Sequence, residues 1–422
     1  MAFLCRLNLS KQNKQVVELY ISTFVGTLLG VVSSIINTRF LDPVNYGDVR
    51  YVQNIINLIA ALLLFGYFLS GSRLLALSNE EGYSRRIRGA MVVILVIASL
   101  ILMIGTASNY WIHLYNGKLT VAPLFIISLP VCIHQLLLNY VNTTAQGDNH
   151  IGRLSVARML PALLYIPLAY WIYTQFGATS TRMILLQWGT SSLILIGVIV
   201  STKPSFHRLA YVFRELNQEN KQYGLQLYYG QLAMVATNYI AGVALGIFNV
   251  DNANVCYFTL ALTITSPLIL VPSIIGTTYF KTFATQDRIS KKVMRGTIVV
   301  TVVSCIGYIA IIKPVVSLLY PATYAVVGIY ATILAVGCSI HGLGDMINRY
   351  LGSHGQGVAI RNSSFACGLL KVGGYVGLVY LWNIEGALIT NILSSLIYSG
   401  ILFYYYFRFT KSNRVNKEIL DI

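Results

Sequence analysis

The sequence predicts an all-α, polytopic membrane protein of about twelve transmembrane helices in two pseudo-symmetric six-helix halves. Three observations lead there. Only 10% of the 422 residues are charged and 56% are hydrophobic, with a mean hydropathy of +0.66. Soluble domains carry about 25% charge, so these few charges cannot coat a water-facing surface of this size. The apolar residues gather in nearly charge-free blocks such as 90–108, 154–176, 183–201 and 297–312, close to the ~20 residues that cross bilayer hydrocarbon. Finally, the cations alternate in density from one connector to the next.

The first block follows a basic, Asn/Gln-rich start containing Arg6, Lys11 and Lys14. It is long enough to span and lacks a small-residue cleavage site, so 16–39 reads as a retained helix rather than a signal sequence. Further spans follow at roughly 48–77, 89–110, 120–143, 155–176, 181–201, 223–248, 254–280, 295–313, 323–346, 362–382 and 386–409, each bounded by Pro, Gly or charged breaks. The two termini and the even-numbered connectors hold 24 cations, among them Arg85, Arg86, Arg88, Arg153, Arg158, Arg208, Arg214, Arg288, Lys291 and Arg408, with Arg73 at the end of span two. The opposite connectors hold five: Arg39, Arg50, Lys118, Arg182 and Lys313. The positive-inside rule then places both termini in the cytoplasm.

This distribution also explains the net charge of +16. In a soluble chain it would point to nucleic acid; here the cations sit in short connectors, so no nucleic-acid partner is expected. The six cysteines lie mostly inside apolar blocks without paired spacing, and read as small packing residues. No phosphate-binding glycine loop, metal-ligand spacing or nucleophile–base cluster stands out, so neither cofactor nor metal is expected.

The longest connector, 202–222, separates an N-terminal half (1–201) from a C-terminal half (223–422). In it Phe206, Leu209, Phe213 and Leu216 recur at helical spacing beside Arg208, Arg214 and Glu215, the pattern of an amphipathic helix on the inner membrane surface. The halves repeat. The string 40–47 after span one is matched by 248–255 after span seven, about 208 residues later; Arg73 meets Lys281 at the same offset, and His134 meets His341 at 207. Six spans per half keep both in the same orientation.

The run Asn37-Thr38-Arg39-Phe40-Leu41-Asp42-Pro43-Val44-Asn45-Tyr46-Gly47 resembles the Arg-x-Leu-x-Pro-x-x-Tyr-Gly pattern of the polysaccharide-transporter branch of the multidrug/oligosaccharidyl-lipid/polysaccharide exporter superfamily. The segment 248–257 resembles the start of that family's second half, except that Cys256 stands where glycine is common. The resemblance covers the whole layout, and its motifs mark scaffold rather than substrate. It implies an O-antigen-type (Wzx-type) flippase. Such a protein, not an enzyme, moves an undecaprenyl-pyrophosphate-linked oligosaccharide from the cytoplasmic to the outer leaflet of a bacterial inner membrane during lipopolysaccharide synthesis. Its partners would be that lipid-linked oligosaccharide, membrane lipids, and the polysaccharide polymerase and chain-length machinery.

That task needs positive charge for a pyrophosphate and hydrogen bonds for sugars, in a cavity expected between the halves. Lys371, mid-way along span eleven, is the basic residue deepest in the membrane, and span eleven holds no acid. It is the first candidate anion contact, against the plainer reading of a snorkelling lysine. Arg73 and Lys281, at matched span ends, are candidates to receive the incoming pyrophosphate or simple membrane anchors. Arg39 and Arg50, near Asp42 and Asp48, pair locally or form an outer gate. His134 and His341 carry protons or pack. Asn54, Asn57 and Asn139, beside Gln135 and Asn142, line the cavity or bond between helices.

Two rivals remain at this stage. A cation-coupled multidrug exporter of the same superfamily would want an intramembrane carboxylate, whereas Glu18, Asp42, Asp48, Asp251, Asp345 and Glu385 are expected mostly at helix ends. A membrane polysaccharide polymerase would want a large loop, and the outer connectors are short.

Overall fold

The computed structural model of the protein describes residues 11–78, 80–148 and 150–420, with side chains outside the description at 11–20, 151, 230, 231, 233–237, 281 and 412–420. Every regular element among the described residues is helical: α1 (Lys11–Phe40), α2 (Pro43–Leu62), α3 (Tyr67–Leu77), α4 (Glu81–Tyr115), α5 (Ala122–Ser128), α6 (His134–Gly147), α7 (Ile151–Phe176), α8 (Ser180–Ser201), α9 (Leu209–Glu219), α10 (Leu225–Phe248), α11 (Ala253–Thr265), α12 (Pro267–Thr278), α13 (Phe280–Phe283), α14 (Lys291–Leu319), α15 (Val326–Ser353) and α16 (Gly357–Leu420). The protein is a multi-pass, all-α membrane protein.

Each of the twelve apolar blocks meets a helix or a helix pair. Eight helical stretches among the described residues are long and apolar enough to cross a membrane, and the bent pair α2–α3 makes a ninth. One of the eight, Gly357–Lys411, holds two blocks, because the backbone leaves helical φ/ψ at Trp382 and Asn383. The chain turns so tightly there that a Cβ on Gly386 would lie 2.0 Å from the Leu378 carbonyl oxygen. Blocks two and four are not the continuous helices that hydropathy suggested. Block two bends by 59° between α2 and α3, and block four breaks at 129–133, where Pro130 interrupts it. Hydropathy measures burial in lipid and is blind to such interruptions.

The chain divides into two compact units, Met1–Leu232 and Ala233–Ile422. In the first, α1 packs on α7, α7 on α8, and α3 on α6. The corner between α1 and α2 is set by Asp42, whose carboxylate accepts the backbone N–H groups of Val44 (2.9 Å) and Asn45 (3.1 Å), with Pro43 at the first helical position. Burial raises the Asp42 carboxyl, but bonds from the Asn45 side chain and from these N–H groups outweigh it and hold it below its usual range. In the second unit Asp251 accepts the Ala253 N–H at 3.0 Å ahead of α11, whose N-cap Asn252 makes no side-chain capping bond.

The bend in block two is stitched from downstream. The Asn220 side-chain amide donates to the Phe65 carbonyl (3.0 Å), the Tyr228 hydroxyl to the Leu62 carbonyl (2.8 Å), and Ser70 Oγ to Asn220 Oδ1 (3.0 Å). These groups meet carbonyls that a continuous helix would have satisfied itself. Gly66, at φ +78°, approaches Gly224 so closely that a Cβ on it would lie 2.4 Å from the Gly224 backbone. Helix α9 packs on α3 and α4, so the connector belongs to the first unit.

In the second unit α15 is the central helix, in contact with α11, α12, α14 and α16. Its Tyr350 and Met346 are fully buried in a cluster with Phe283, Tyr398 and Leu402.

Candidate functional site

A polar constellation in the second unit lies on α15 and its neighbours. His341, Asp345 and Asn348 recur at i, i+4 and i+7 and so share one stripe of α15. All three converge on Tyr398 of α16, which is fully buried. The Tyr398 ring stacks on His341 with centroids 4.5 Å apart and planes at 20°. Its hydroxyl donates to Asp345 Oδ1 at 3.0 Å and accepts from the Asn348 amide at 2.8 Å. Asp345 stands one turn after His341 on that stripe. Lys371 is half-buried and donates to Asn238 Oδ1 of α10 at 3.3 Å. Among the described residues neither Asp345 nor Lys371 forms an ion pair.

Asp345 corrects the sequence reading. Expected at a helix end, it lies eight residues inside the end of α15, about 12 Å along the axis at 1.5 Å per residue. The helix outlasts its apolar block, so the end of the block at 346 is not the end of the helix. The arrangement supplies, within one unit, an acid held by a single phenolic donor, a polarisable histidine beside it, and a separate ammonium able to contact an anion.

The first unit holds the counterpart without the acid. His134 stacks on Trp188 of α8 (5.6 Å, 12°) and pairs through Nε2 with Ser191 Oγ at 2.9 Å. Each repeat-matched histidine thus stacks on an aromatic of the last span of its unit. Four residues after His134 stands Leu138, where Asp345 follows His341. Among the described residues His134 Nδ1 is buried without a hydrogen-bond partner, so the first-unit ring is satisfied at Nε2 alone, and no acid stands one turn after it as Asp345 does after His341.

Helices α2 and α6 carry most of the other predicted polar residues. Arg50 donates to Tyr46 OH (2.7 Å) and Gln53 Oε1 (2.9 Å), and Gln53 continues to Gln187 of α8 at 3.1 Å. Asn54 and Asn57 are half-buried on α2. Among the described residues Asn57 Oδ1, Asn139 Nδ2 and Asn142 Oδ1 are buried without a hydrogen-bond partner. Asn139 lines a cavity of about 40 Å³ with Gly66, Thr143 and Tyr228. Buried amides left open in a membrane protein call for water or a ligand hydroxyl.

The paired cations fare differently. Arg73 is ion-paired with Glu219 at the end of α9, and its guanidinium lies 4.7 Å from the Tyr223 ring centroid. To receive a pyrophosphate it would have to release that acid. Lys281 falls in α13 with its side chain outside the described ones. Arg39 is exposed and makes no ion pair among the described residues, since Asp42 spends its carboxylate on the α2 cap.

Two cations assigned to connectors are structural instead. Arg88 is buried, 2.9 Å from Asp148 and 3.1 Å from the Thr202 carbonyl, tying the ends of α4, α6 and α8. Arg158 lies inside α7 and donates to Thr23 Oγ1 of α1 at 2.6 Å. Its position within the block 154–176 was a signal available in the sequence.

Comparison with known proteins fits this architecture. A family model described as polysaccharide biosynthesis protein matches residues 13–286. No curated protein matches the chain. Among solved structures, the lipid II flippase MurJ in an inward closed conformation superposes with a TM-score of 0.72 at 13% identity, covering 96% of this chain and 91% of its own. An inward-facing multidrug resistance MATE family transporter of the MOP superfamily gives 0.66 at 18% identity, covering 94% and 98%. A MOP superfamily transporter from Pyrococcus furiosus, whose binding pocket has reversed polarity, gives 0.54 at 17%, covering 94% and 96%. At these identities the likeness is one of fold, that of a membrane transporter.

Proposed function

Because this chain belongs to the polysaccharide biosynthesis protein family, we propose that its transporter fold flips a lipid-linked oligosaccharide of O-antigen type, carried on undecaprenyl pyrophosphate, from the cytoplasmic to the outer leaflet of a bacterial inner membrane. The observation that carries the reading is Lys371, an ammonium within a membrane span that no described acid neutralises. Such a charge needs water or an anion, because hydrocarbon solvates none of it, and a pyrophosphate supplies the anion. The open amides of Asn57 on α2 and Asn139 on α6 suit sugar hydroxyls, with Asn54 beside Asn57 on α2. The fold likeness to a lipid II flippase supports a lipid-linked substrate. The basic connectors and both termini face the cytoplasm in this reading, the side favoured by the positive-inside rule for the 22 cations that remain once Arg88 and Arg158 are set aside.

Energy enters through the acid of the second unit. Asp345 with His341 and Tyr398 is the place where a proton or small cation binds during the cycle, a role that His134, lacking a neighbouring acid, does not share. A carboxylate inside a spanning helix is also what the rival drug exporter requires. The two readings part on cargo: Lys371 favours an anionic headgroup over a cationic drug. Downstream, the flipped units feed a polysaccharide polymerase and its chain-length machinery. The test is leaflet-specific detection of the lipid-linked sugar in cells with and without the protein. Loss should leave single unflipped repeat units on the cytoplasmic leaflet; polymerised chains on the outer leaflet in its absence would overturn the reading.

A further inference from the structure

A groove of about 540 Å³ opens on the first unit, where α4, the α2–α3 bend and α9 meet. Its size falls in the range of specific small-molecule sites. Ile94, Ile97 and Ile101 line it at i, i+3 and i+7, a stripe about 10 Å long on α4 at 1.5 Å per residue. Phe65 from the bend and Phe213 from α9 form the other walls, and Arg214 and Asn217 of α9 stand at its polar edge. The apolar lane therefore runs along a membrane-spanning helix, away from the cation at the surface helix.

The cation is available. Of the acids on α9, Glu215 accepts the hydroxyls of Tyr83 (2.6 Å) and Tyr211 (2.7 Å), and Glu219 is held by Arg73. Arg214 is exposed and has no hydrogen bond or ion pair among the described residues. Ile97 and Ile101 are about half exposed, at 53% and 47%, although they belong to a helix that crosses the membrane. An apolar lane open to the bilayer is filled by hydrocarbon, and one unneutralised guanidinium at its mouth selects the headgroup. We propose that this groove is a binding site for an anionic phospholipid of the leaflet facing the basic connectors. One acyl chain lies along Ile94–Ile101 and the phosphodiester meets Arg214. A single cation matches the single charge of a phosphodiester, and phospholipid is the bulk solvent of that leaflet. The seated lipid fastens α9 to α4 beside the bend of the second span. The inference rests on the fold alone, independent of the flipped substrate.

Native mass spectrometry of the full chain in detergent tests it, with phosphatidylglycerol and phosphatidylethanolamine titrated separately. The wild type should retain phosphatidylglycerol in preference to phosphatidylethanolamine. Arg214→Gln should weaken phosphatidylglycerol about fivefold, the worth of one cation at a membrane surface, and phosphatidylethanolamine, whose phosphate is offset by its own ammonium, by less. Ile97→Trp, which fills the lane from an exposed position, should weaken both lipids. Lys411→Gln, on the far end of α16, should change neither. Equal retention of the two lipids, or an unchanged Arg214→Gln, would overturn the proposal. So would displacement of phosphatidylglycerol by an equimolar polyprenyl pyrophosphate, which would give the groove to the tail of the transported lipid instead.

Discussion

Replacing Lys371 by alanine isolates the charge on which the anion site depends. The side chain is half-buried, and its one hydrogen bond among the described residues is to a neutral amide, Asn238 Oδ1, at 3.3 Å. No buried counter-charge is orphaned by its removal, and an intramembrane ammonium costs about 2.5–3.5 kcal/mol at insertion. Lys371→Ala should therefore insert and accumulate at least as well as the wild type. A hydrogen bond to a charged group contributes about 1.5–3 kcal/mol. Because this ammonium is partly open to water, the lower end applies, which is roughly a tenfold loss of flipping rate at limiting substrate. Lys371→Arg keeps the charge with a different donor geometry and should retain most of the rate. Asn238→Leu, which frees the ammonium without removing it, should cost less than Lys371→Ala. The assay is initial-rate, leaflet-specific detection in proteoliposomes normalised to folded protein. Full activity in Lys371→Ala, or equal losses in the alanine and arginine variants, would refute the contact.

Three further outcomes follow from the same geometry. Asp345→Asn preserves an acceptor for Tyr398 but removes the charge; one charge crossing the membrane field is worth about 2.3 kcal/mol per 100 mV, so the roughly fiftyfold response of flipping to an imposed gradient should vanish, and an unaltered response would end the coupling role. Asp148→Asn leaves the buried Arg88 guanidinium with Glu81 at 3.6 Å as its remaining acid and should destabilise the fold by about 1.5–3 kcal/mol, read by thermal unfolding in detergent. The double change Arg88→Met with Asp148→Leu should recover most of that loss, and a double variant no better than the single would show that the pair is not coupled. Reporter fusions after residues 117, 179 and 252 should lie outside and those after 84, 150, 215 and 290 inside; one consistent inversion along the chain would break the helix count.

Block lengths and connector charges were enough to locate the helices, because both record a one-dimensional property, the alternation of lipid and water along the chain. The bends were not legible. Gly66 and Pro130 are single residues in apolar runs, and what makes the first bend tolerable is a bond network from Asn220 and Tyr228, more than 150 residues away. The histidine pair was visible as a repeat, yet its asymmetry depends on Leu138 against Asp345 and on which aromatic each ring meets across the unit. Lys371 stood out because its span has no acid, whereas Arg73 looked free only because Glu219 lies 146 residues further along. Arg88 and Arg158 were counted as surface charge because a rule about loops does not distinguish a cation beside a span from one folded back into it.

The stitched bend also bears on how the protein is made. The carbonyl of Leu62 waits for a hydroxyl 166 residues downstream, and translation at about 5–20 residues per second puts roughly 8–30 s between the two. For that interval the bend leaves the ribosome without the groups that will cover it, although the helices on either side are complete. A nascent chain stopped at the end of α8 has all its early spans yet an unfinished second one. Whatever holds that intermediate in the membrane must shelter the elbow at Leu62–Gly66 until the start of the next half arrives to close it.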